Sequence, residues 1–408
     1  MKYLILIDTK FPYRAGESFL ESEISEISAE FDRIFIFPTD AMIRDPQTRK
    51  IDEQNVTTEL FESSNTKFRK GKCASKAIFT MWGYHGRLKH RFLDAYFDNA
   101  ARDQAMKIIH YLKKNDFQAT DQVFVYSYWF YITARIAIEI KTYFQEIGIP
   151  VKTVSRAHRF DIYEDIHQRG YLPRRQFLLE NLDKVFPCSD NGTHYLEKKF
   201  PAYGNKITTA RLGTYDHGEG VSDRKEWFHL ISCSRVTSIK RVDRIIDTLK
   251  ILEGEGYQIA WTHIGGGPLL DKVKEKANGL KVSKVVFKGS VANTQVYEYY
   301  RQNPADLFVN VSTSEGLPVS IMEAISFGIP TIATDVGGTS EIVVNNVSGY
   351  LLNKNFSDRE LADKIACIIR MSDNEYTHLR RSARRYWFIN YQANKNYKDF
   401  AENILQLM

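Results

Sequence analysis

Short apolar segments alternate with helical segments along the whole chain, and this alternation constrains the fold more than any other feature. The predicted strands of the first half are YLILID (3–8), RIFIFP (33–38), QVFVYSY (122–128), VKTVS (151–155), DKVFPCS (183–189) and ITTARLG (207–213). Those of the second half are FHLISCS (228–234), QIAWTHIG (258–265), KVVFKGS (284–290), DLFVNVS (306–312) and IPTIATD (329–335). Strands that alternate with helices indicate parallel sheets covered on both faces. The sequence therefore predicts an α/β protein.

The length and one polar segment indicate two domains. A chain of 408 residues is too long for one compact core. The segment TYDHGEGVSDRKE (214–226) is polar and rich in turn residues, which is typical of a boundary. We predict a Rossmann-like domain over 1–217 and a second over 218–387, with a last helix at about 388–408 that packs back on the first. Ligands of doubly wound sheets bind beyond the carboxyl ends of the strands, so two such domains are expected to form a cleft.

Composition indicates which cellular compartment and which class of binding partner to expect. The net charge is +6, which suits anionic small molecules or an anionic membrane surface and does not imply nucleic acid. Four scattered cysteines without a C-x-x-C pair favour neither a disulfide framework nor a zinc site, and fit a reducing compartment. The N-terminal apolar run ends early, at Asp8, and the longest uncharged stretch (122–134) is too short to span a bilayer. We therefore expect a cytoplasmic protein.

Cations and glycines follow the strands of the second half. Arg235 comes directly after the strand 228–234, and Lys240 follows at the expected start of the next helix. Two cations beside helix-start amides suit a diphosphate, although both residues could equally be ordinary surface bases. The turn GGGP (265–268) lets the backbone approach a ligand closely. Ser290 and Val291 follow Gly289, where backbone groups could meet a flat base.

The segment SEGLPVSIMEA (314–324) places Glu315 before a Gly-Leu-Pro turn and Glu323 in the helix expected after it. A structural interpretation is available, in which Ser314 caps the helix, Pro318 lies in its first turn and Glu323 is solvated.

The first half offers fewer signals. Gly16 lies in the first loop, and His158 follows a strand, where an isolated histidine is more often structural than catalytic.

Several motifs together resemble one family. SR-x4-K, GGGP, F-x-G, SEGLPVSIMEAISFGIPTIATDVGGTSEIV and GYLL occur in this order between residues 228 and 353. This pattern resembles the carboxyl domain of retaining GT-B glycosyltransferases of family four, whose hallmark is the Glu-x7-Glu element. The N-terminal part is similar, more loosely, to bacterial members that build surface polysaccharides or decorate glycans. The resemblance implies the GT-B fold, with two doubly wound Rossmann-like domains facing each other across a cleft.

The resemblance also implies roles for individual residues. Glu323 would bind the ribose of the nucleotide, Glu315 would lie against the donor sugar, and Arg235 with Lys240 would neutralise the departing diphosphate. His158 would lie near the hydroxyls of the sugar. The remaining donor-binding residues would be Gly16, Gly266, Ser290, Val291, Gly316, Leu317, Pro318 and Val319. The sequence departs from the family at Arg241, where many relatives have Gly, and at Gly266, which often corresponds to Asp.

The implied activity is hexosyl transfer, with retention, from a nucleotide-sugar to a glycan, lipid-linked or protein-linked glycan acceptor. UDP-sugars are the commoner donors of this group. No cofactor is expected, and the chain contains no D-x-D tripeptide, which argues against a metal held by paired aspartates. Two alternatives stay open: a non-catalytic substrate-binding subunit of a glycosyltransferase complex, and a nucleotide-sugar epimerase of similar architecture.

A further segment, KFRKGKCASKAIFTMWGYHGRLKHR (67–91), holds eight Lys or Arg and no acid, interleaved with large apolar residues. It favours either a solvated basic helix pair or a peripheral contact with an anionic membrane surface at the inner face.

Overall fold

The computed structural model describes residues 1–14, 16–17, 19–61, 66–167, 170–224 and 226–408, without the side chains of 66–69. The chain divides into two compact units. Unit 1 comprises residues 1–212 and 393–408, and unit 2 comprises residues 213–392. In the described ranges, no helix is both long enough and apolar enough to cross a bilayer.

Unit 1 contains a six-stranded parallel sheet in the order β3-β2-β1-β4-β5-β6. Its strands are β1 (Lys2–Asp8), β2 (Arg33–Pro38), β3 (Val56–Thr58), β4 (Gln122–Ser127), β5 (Val151–Ala157) and β6 (Lys184–Pro187). Its helices are α1 (Phe19–Ile27), α2 (Thr66–Thr80), α3 (Leu88–Leu112), α4 (Ile132–Glu146), α5 (Arg159–Ile162), α6 (Arg175–Asn181), α7 (Asp190–Lys199) and, from the end of the chain, α15 (Ala393–Leu405). The change of direction in strand order lies between β1 and β4, as in doubly wound sheets.

Unit 2 repeats this plan with the order β12-β11-β10-β7-β8-β9, again all parallel. Its strands are β7 (Phe228–Cys233), β8 (Ile259–Ile264), β9 (Lys284–Gly289), β10 (Leu307–Asn310), β11 (Thr331–Thr334) and β12 (Gly349–Leu352). Its helices are α8 (Asp243–Gly254), α9 (Leu270–Ala277), α10 (Asn293–Gln302), α11 (Val319–Ser326), α12 (Thr339–Ile342), α13 (Asp358–Ile369) and α14 (Asp373–Asn390). The prediction of an α/β protein with two doubly wound sheets is confirmed.

A buried ionic network joins α15 to the sheet of unit 1. The guanidinium of Arg156 is fully buried, donates to Glu23 at 2.9 Å and to the Ala210 carbonyl at 2.6 Å, and lies 3.9 Å from the ring centre of Phe400. Burial raises the pKa of Glu23, and the charge of Arg156 opposes this rise. A buried ion pair is better tolerated when further hydrogen bonds satisfy its polar atoms, and here the Ala210 carbonyl and the Tyr126 hydroxyl supply two of them. Phe400 also packs edge-on against Tyr126 at 5.3 Å.

One predicted strand is wrong. The segment 207–213 forms only an isolated bridge, between Ile207 and Val185, and is otherwise irregular. Its amides at Thr208 and Ala210 do bond to carbonyls of β6, at 3.1 and 2.9 Å. The carbonyl of Ala210, however, accepts from the Arg156 guanidinium, so it serves the buried network rather than a strand ladder.

Candidate functional site

The loop after β7 carries the two predicted cations. Arg235 is exposed. Lys240 lies in a turn whose amide bonds to the Thr237 carbonyl at 3.0 Å, and α8 begins only at Asp243. The prediction that Lys240 lies at a helix start is therefore wrong, because the chain makes this extra turn first. The turn is fixed to the loop after β10, since Thr313 donates its amide to the Ile239 carbonyl at 2.8 Å.

Lys240 and Glu315 form a direct ion pair. The Lys240 ammonium lies 2.6 Å from a carboxylate oxygen of Glu315, and the same oxygen accepts from the Asn310 amide at 3.1 Å. The side chain of Glu315 is 10% exposed and that of Lys240 is 26% exposed, so the pair is largely buried but still accessible to solvent. Two residues that are 75 positions apart thus meet at the carboxyl ends of β7 and β10.

The loop of Glu315 is held by two glycines of the next crossover. A β-carbon on Gly337, whose φ is +57°, would lie 2.0 Å from the Glu315 carbonyl oxygen, so only glycine fits there. Gly338 donates its amide to the Gly316 carbonyl at 2.8 Å. With this loop fixed by Gly338, Pro318 and not Ser314 precedes α11, so the predicted Ser314 cap is wrong. Leu317 and Pro318 are buried, and Val319 opens the helix, in which the Ile321 amide already bonds to the Pro318 carbonyl at 3.1 Å and the amides of Val319 and Ser320 come before that bond.

Glu323 is a buried acid on α11. Only 7% of the residue is exposed, so the alternative of a solvated Glu323 is wrong. Its carboxylate accepts from the Tyr297 hydroxyl at 2.9 Å, and the Tyr297 ring stacks on the His217 ring at 4.2 Å. Burial raises the pKa of Glu323 to about 7, and the bond from Tyr297 works against that rise. A buried carboxyl group with one protein donor is suited to accept hydroxyl donors from a ligand.

The glycine turn after β8 lies beside a cavity of about 500 Å³. Gly265 and Gly267 have positive φ, and a β-carbon on either would lie within 2.5 Å of a backbone oxygen, at Ser234 or Val236 respectively. These glycines therefore let two loops touch. The cavity is lined, among others, by Cys233, Arg235, Gly266, Ser290 and Val291. The predicted residues of the first three crossovers thus meet at one place.

Cys233, the last residue of β7, is close enough to Glu323 and Lys240 for their charges to act on its thiol. Burial raises the pKa of its thiol to about 12. The charge of Glu323 raises this pKa further and the charge of Lys240 lowers it, so both charged groups act on the same sulfur. The thiol therefore stays protonated at neutral pH. It is a neutral, weakly polar group at this edge of the sheet and not a nucleophile.

In unit 1, the first loop is organised by a residue that sequence reasoning missed. The Glu17 carboxylate, next to Gly16, accepts from the amides of Thr9, Lys10 and Phe11 at 2.7–3.0 Å and from the Trp129 indole at 2.5 Å. Gly16 has a φ of +121°, and a β-carbon there would meet open space. Glu17 therefore ties together the backbone of residues 9–11, while Gly16 is exposed.

His158 lies near that loop, with its ring 4.8 Å from the Trp129 ring. Its Nε2 lies 3.1 Å from the Tyr128 carbonyl oxygen, which can only accept, so we assign the proton to Nε2. Burial and the nearby charge of Arg156 lower the pKa of His158 to about 3, so the ring is neutral. Asp161, the other candidate base, is fully buried and accepts from the amides of Phe130 and His158 at 2.6 Å each.

Tyr297, Asn310 and Glu17 are the main functional-site contacts that the sequence did not reveal. Asn310 ends β10 five residues before Glu315, so its position at a strand end was a usable signal. Tyr297 lies on α10 and gave none. Within the described ranges, no three His, Cys, Asp or Glu side chains are grouped so that they could hold a metal ion.

Known proteins resemble this chain in sequence. The family model for glycosyl transferases group 1 matches residues 220–386. A putative colanic acid biosynthesis glycosyltransferase, WcaL of Escherichia coli K12, is 27% identical over 59% of this chain and 61% of its own length. The amylovoran biosynthesis glycosyltransferase AmsK of Erwinia amylovora is 29% identical over 54% and 53%, respectively. The chain therefore spans less than two thirds of these relatives.

Solved structures establish the fold. HepE of Anabaena, crystallised in complex with UDP, superposes with a TM-score of 0.66 over 100% of both chains at 16% identity. The sucrose-phosphate synthase of Thermosynechococcus elongatus gives a TM-score of 0.73 over 100% of this chain and 99% of its own at 15% identity. These superpositions confirm the expected GT-B fold. The chain thus has the GT-B fold, and its residues 220–386 match the family model for glycosyl transferases group 1.

Proposed function

We propose that the protein is a retaining glycosyltransferase that uses a UDP-sugar and acts in the synthesis of a bacterial surface polysaccharide or glycoconjugate. The observation that carries this proposal is the Lys240–Glu315 ion pair beside the buried Glu323, at the carboxyl edge of the sheet of unit 2. The names of WcaL and AmsK, and the UDP bound to HepE, support the donor and the pathway class. The acceptor is a glycan or a lipid-linked glycan.

Each group of the edge has a distinct task in this mechanism. The carboxylate of Glu323 accepts from the ribose hydroxyls and so holds the nucleotide. The first-turn amides of α11 face the phosphates, where the positive end of a helix favours negative charge. Lys240 and Arg235 then stabilise the charge that builds up on the diphosphate as the bond to the sugar breaks. Glu315, held in place by Lys240 and Asn310, lies against the sugar.

Thermal-shift screening followed by turnover tests this proposal. The panel is UDP-glucose, UDP-galactose and UDP-N-acetylglucosamine with the matching GDP- and ADP-sugars. We expect a UDP-sugar to raise the melting temperature most, and the protein to release UDP from it slowly without an acceptor. Binding without any turnover would instead favour the non-catalytic subunit, and epimerised donor would favour the epimerase.

We predict transfer with retention at the anomeric carbon, and no loss of rate in EDTA. Inversion requires a base that takes the proton of the acceptor hydroxyl. The Nδ1 of His158 lies 3.7 Å from the Cys188 thiol and the pKa of the ring is lowered to about 3, while Asp161 is fully buried, so neither residue is well suited to take that proton. The fixed charges of Lys240 and Arg235 take the place of a metal. Proton NMR of the product's anomeric coupling checks this prediction; an inverted product, or a reaction that stops in EDTA, would contradict it.

A basic and aromatic surface of unit 1 supports association with an anionic membrane. The predicted segment forms α2, a 3₁₀ turn (Met81–Gly83) and the start of α3. The exposed fractions of its apolar side chains are 81% for Phe79, 67% for Trp82, 55% for Ile78 and 59% for Leu88. Lys70, Lys72, Lys76, Arg87 and Lys89 are exposed beside them, whereas the side chains of Lys67, Phe68 and Arg69 lie outside those described. Such a mixture suits anionic headgroups, at about 1 kcal/mol per cation near the surface.

We expect the protein to float with vesicles of phosphatidylglycerol and phosphatidylcholine, and to be released by high salt. The double variant Phe79→Ser, Trp82→Ser should float less, because it removes two rings that are 81% and 67% exposed on this surface. The matched control is Phe388→Ser in unit 2, whose ring is 52% exposed on α14. Equal binding to pure phosphatidylcholine vesicles, or an equal loss in the control, would contradict the membrane assignment.

A further inference from the structure

Arg241 has an unusual backbone conformation. Its φ is +47°, in the left-handed region that favours glycine. It follows Lys240 directly, in the turn that precedes α8. A residue with a large side chain persists in this conformation only where its surroundings compensate for the strain, and such residues cluster at functional sites. The side chain should therefore make contacts that a glycine could not make.

The guanidinium of Arg241 binds the backbone of two separate loops. It donates to the Val311 carbonyl at 2.7 Å and to the Ser312 carbonyl at 3.3 Å, both in the loop after β10. It also donates to the Lys354 carbonyl at 2.9 Å, in the loop after β12, and lies 5.1 Å from the ring centre of Phe356. The planar guanidinium carries five N–H donors in a fixed fork, so this one side chain serves three carbonyls of two loops at once.

These bonds act on the short segment that leads to Glu315. Val311 and Ser312 lie four and three residues before Glu315, and the next residue, Thr313, already bonds to the Ile239 carbonyl. The turn after β7 therefore contacts this segment at both ends. Arg241 fixes the start of the segment through its carbonyls, and Lys240 fixes the carboxylate at its end at 2.6 Å. Two adjacent residues thus set the position of one acid.

We propose that Arg241 is a positioning residue that holds the loop 311–315 where Lys240 and Glu315 act together. The proposal deepens the proposed function and depends on it for the role of Glu315. The contact between Tyr297 and Glu323 does not involve Arg241. Loss of the guanidinium should therefore lower turnover and leave nucleotide affinity nearly unchanged, because small misplacements of a catalytic group cost far more in rate than in binding.

The test variant is Arg241→Gly, which removes the guanidinium while glycine adopts the same φ without strain. Arg241→Asn is the second variant, because Asn tolerates this conformation better than other side chains and adds less flexibility than glycine. The matched control is Arg244→Ala. Arg244 binds Asp358 and the Phe356 carbonyl and stacks on the same Phe356 ring at 4.3 Å, yet its contacts do not include the loop after β10.

Two measurements are made on the full chain: UDP release from the UDP-sugar identified above, and amide hydrogen exchange followed by mass spectrometry. We expect both Arg241 variants to lose about 10-fold to 100-fold in kcat. The dissociation constant of UDP should stay within about twofold. Exchange should become faster in residues 311–316 and unchanged in the core strands. Arg244→Ala should keep its kcat and its exchange in 311–316.

Unchanged kcat in both Arg241 variants, or unchanged exchange in 311–316, would overturn the proposal. An equal effect in Arg244→Ala would also overturn it, because the loss would then come from the loop after β12. The exchange measurement requires no turnover. Wild-type protein that turns over no nucleotide-sugar would therefore refute the proposed function, while the exchange in 311–316 would still decide whether Arg241 holds the loop.

Discussion

Replacement of Lys240 by Ala should lower the turnover of the UDP-sugar by about 10²-fold or more. The ammonium group has two tasks that alanine cannot perform. It supplies positive charge to the departing diphosphate, and it holds the Glu315 carboxylate at 2.6 Å. Arg235→Ala should give a loss of the same order through the first task alone. Binding of uridine, which lacks phosphates, should change much less in both variants. Rates of UDP release and calorimetric titration with uridine measure the two effects.

The matched control is Lys276→Ala. Lys276 is also a half-buried lysine of unit 2 that is ion-paired, in its case with Asp247 on α8, but it lies on α9 away from the strand ends. It should keep near-wild-type turnover. If Lys240→Ala and Arg235→Ala also keep near-wild-type rates, the two cations are ordinary surface residues and the site has been placed wrongly.

Replacement of Glu323 by Ala should weaken UDP binding by about 1–3 kcal/mol, which is typical of hydrogen bonds to a charged group. This corresponds to a dissociation constant about 5-fold to 150-fold higher. Because the ribose contact exists before and during the reaction, kcat should change less than the dissociation constant. Isothermal calorimetry with UDP is the direct measurement. An unchanged dissociation constant would refute the role of Glu323 in ribose binding.

The pKa of Glu323 adds a pH dependence with a definite sign. Burial raises this pKa to about 7, so below that pH the free protein carries a neutral carboxyl group. Ribose hydroxyls donate more strongly to the ionised form, so the ligand favours loss of the proton. UDP affinity should therefore rise several-fold between about pH 6 and pH 8. The titratable groups near Glu323 include Tyr297, His217, Cys233 and Lys240. Each of them is unchanged in the variants below unless the variant replaces it.

Two variants isolate that dependence. Glu323→Gln cannot ionise and should remove the rise in affinity between about pH 6 and pH 8. Tyr297→Phe removes the donor that lowers the pKa of Glu323, so the rise should move to higher pH. A pH profile that is the same in Glu323→Gln as in wild type would assign the titration to another group, such as His217.

Much of the fold could be predicted because many of its strands are rich in apolar residues and buried on both faces. β1, β2, β4 and β7 follow directly from runs rich in apolar residues. β3 could not be predicted in this way, because it has three residues, Val56–Thr58, none of them fully buried. The segment 207–213 shows the opposite error, since an apolar pattern does not reveal that the Ala210 carbonyl is already taken by Arg156.

For the candidate site, the sequence indicated the groups at strand ends and missed their partners. The motifs that contain Lys240 and Glu315 could be recognised because they occur along the chain in the order expected for the family that they resemble. Tyr297 could not, because its bond to Glu323 joins α10 to α11 through tertiary packing. The contacts of Arg241 could not be predicted for the same reason. In the sequence this residue is only an arginine where many relatives have glycine, and its role is indicated by its φ and its three carbonyl partners.

The position of α15 has a consequence for biosynthesis. Unit 2 is continuous in sequence, so all of its strands and helices are available once residue 392 has left the ribosome. Unit 1 is different, because its core includes Tyr397 and Phe400, which follow unit 2 in the sequence and are synthesised after it. Until then the buried Arg156 lacks the ring that covers its guanidinium. The N-terminal unit, although synthesised first, is therefore the later of the two to complete its core, and a nascent chain stalled between the two events would expose that core to chaperones.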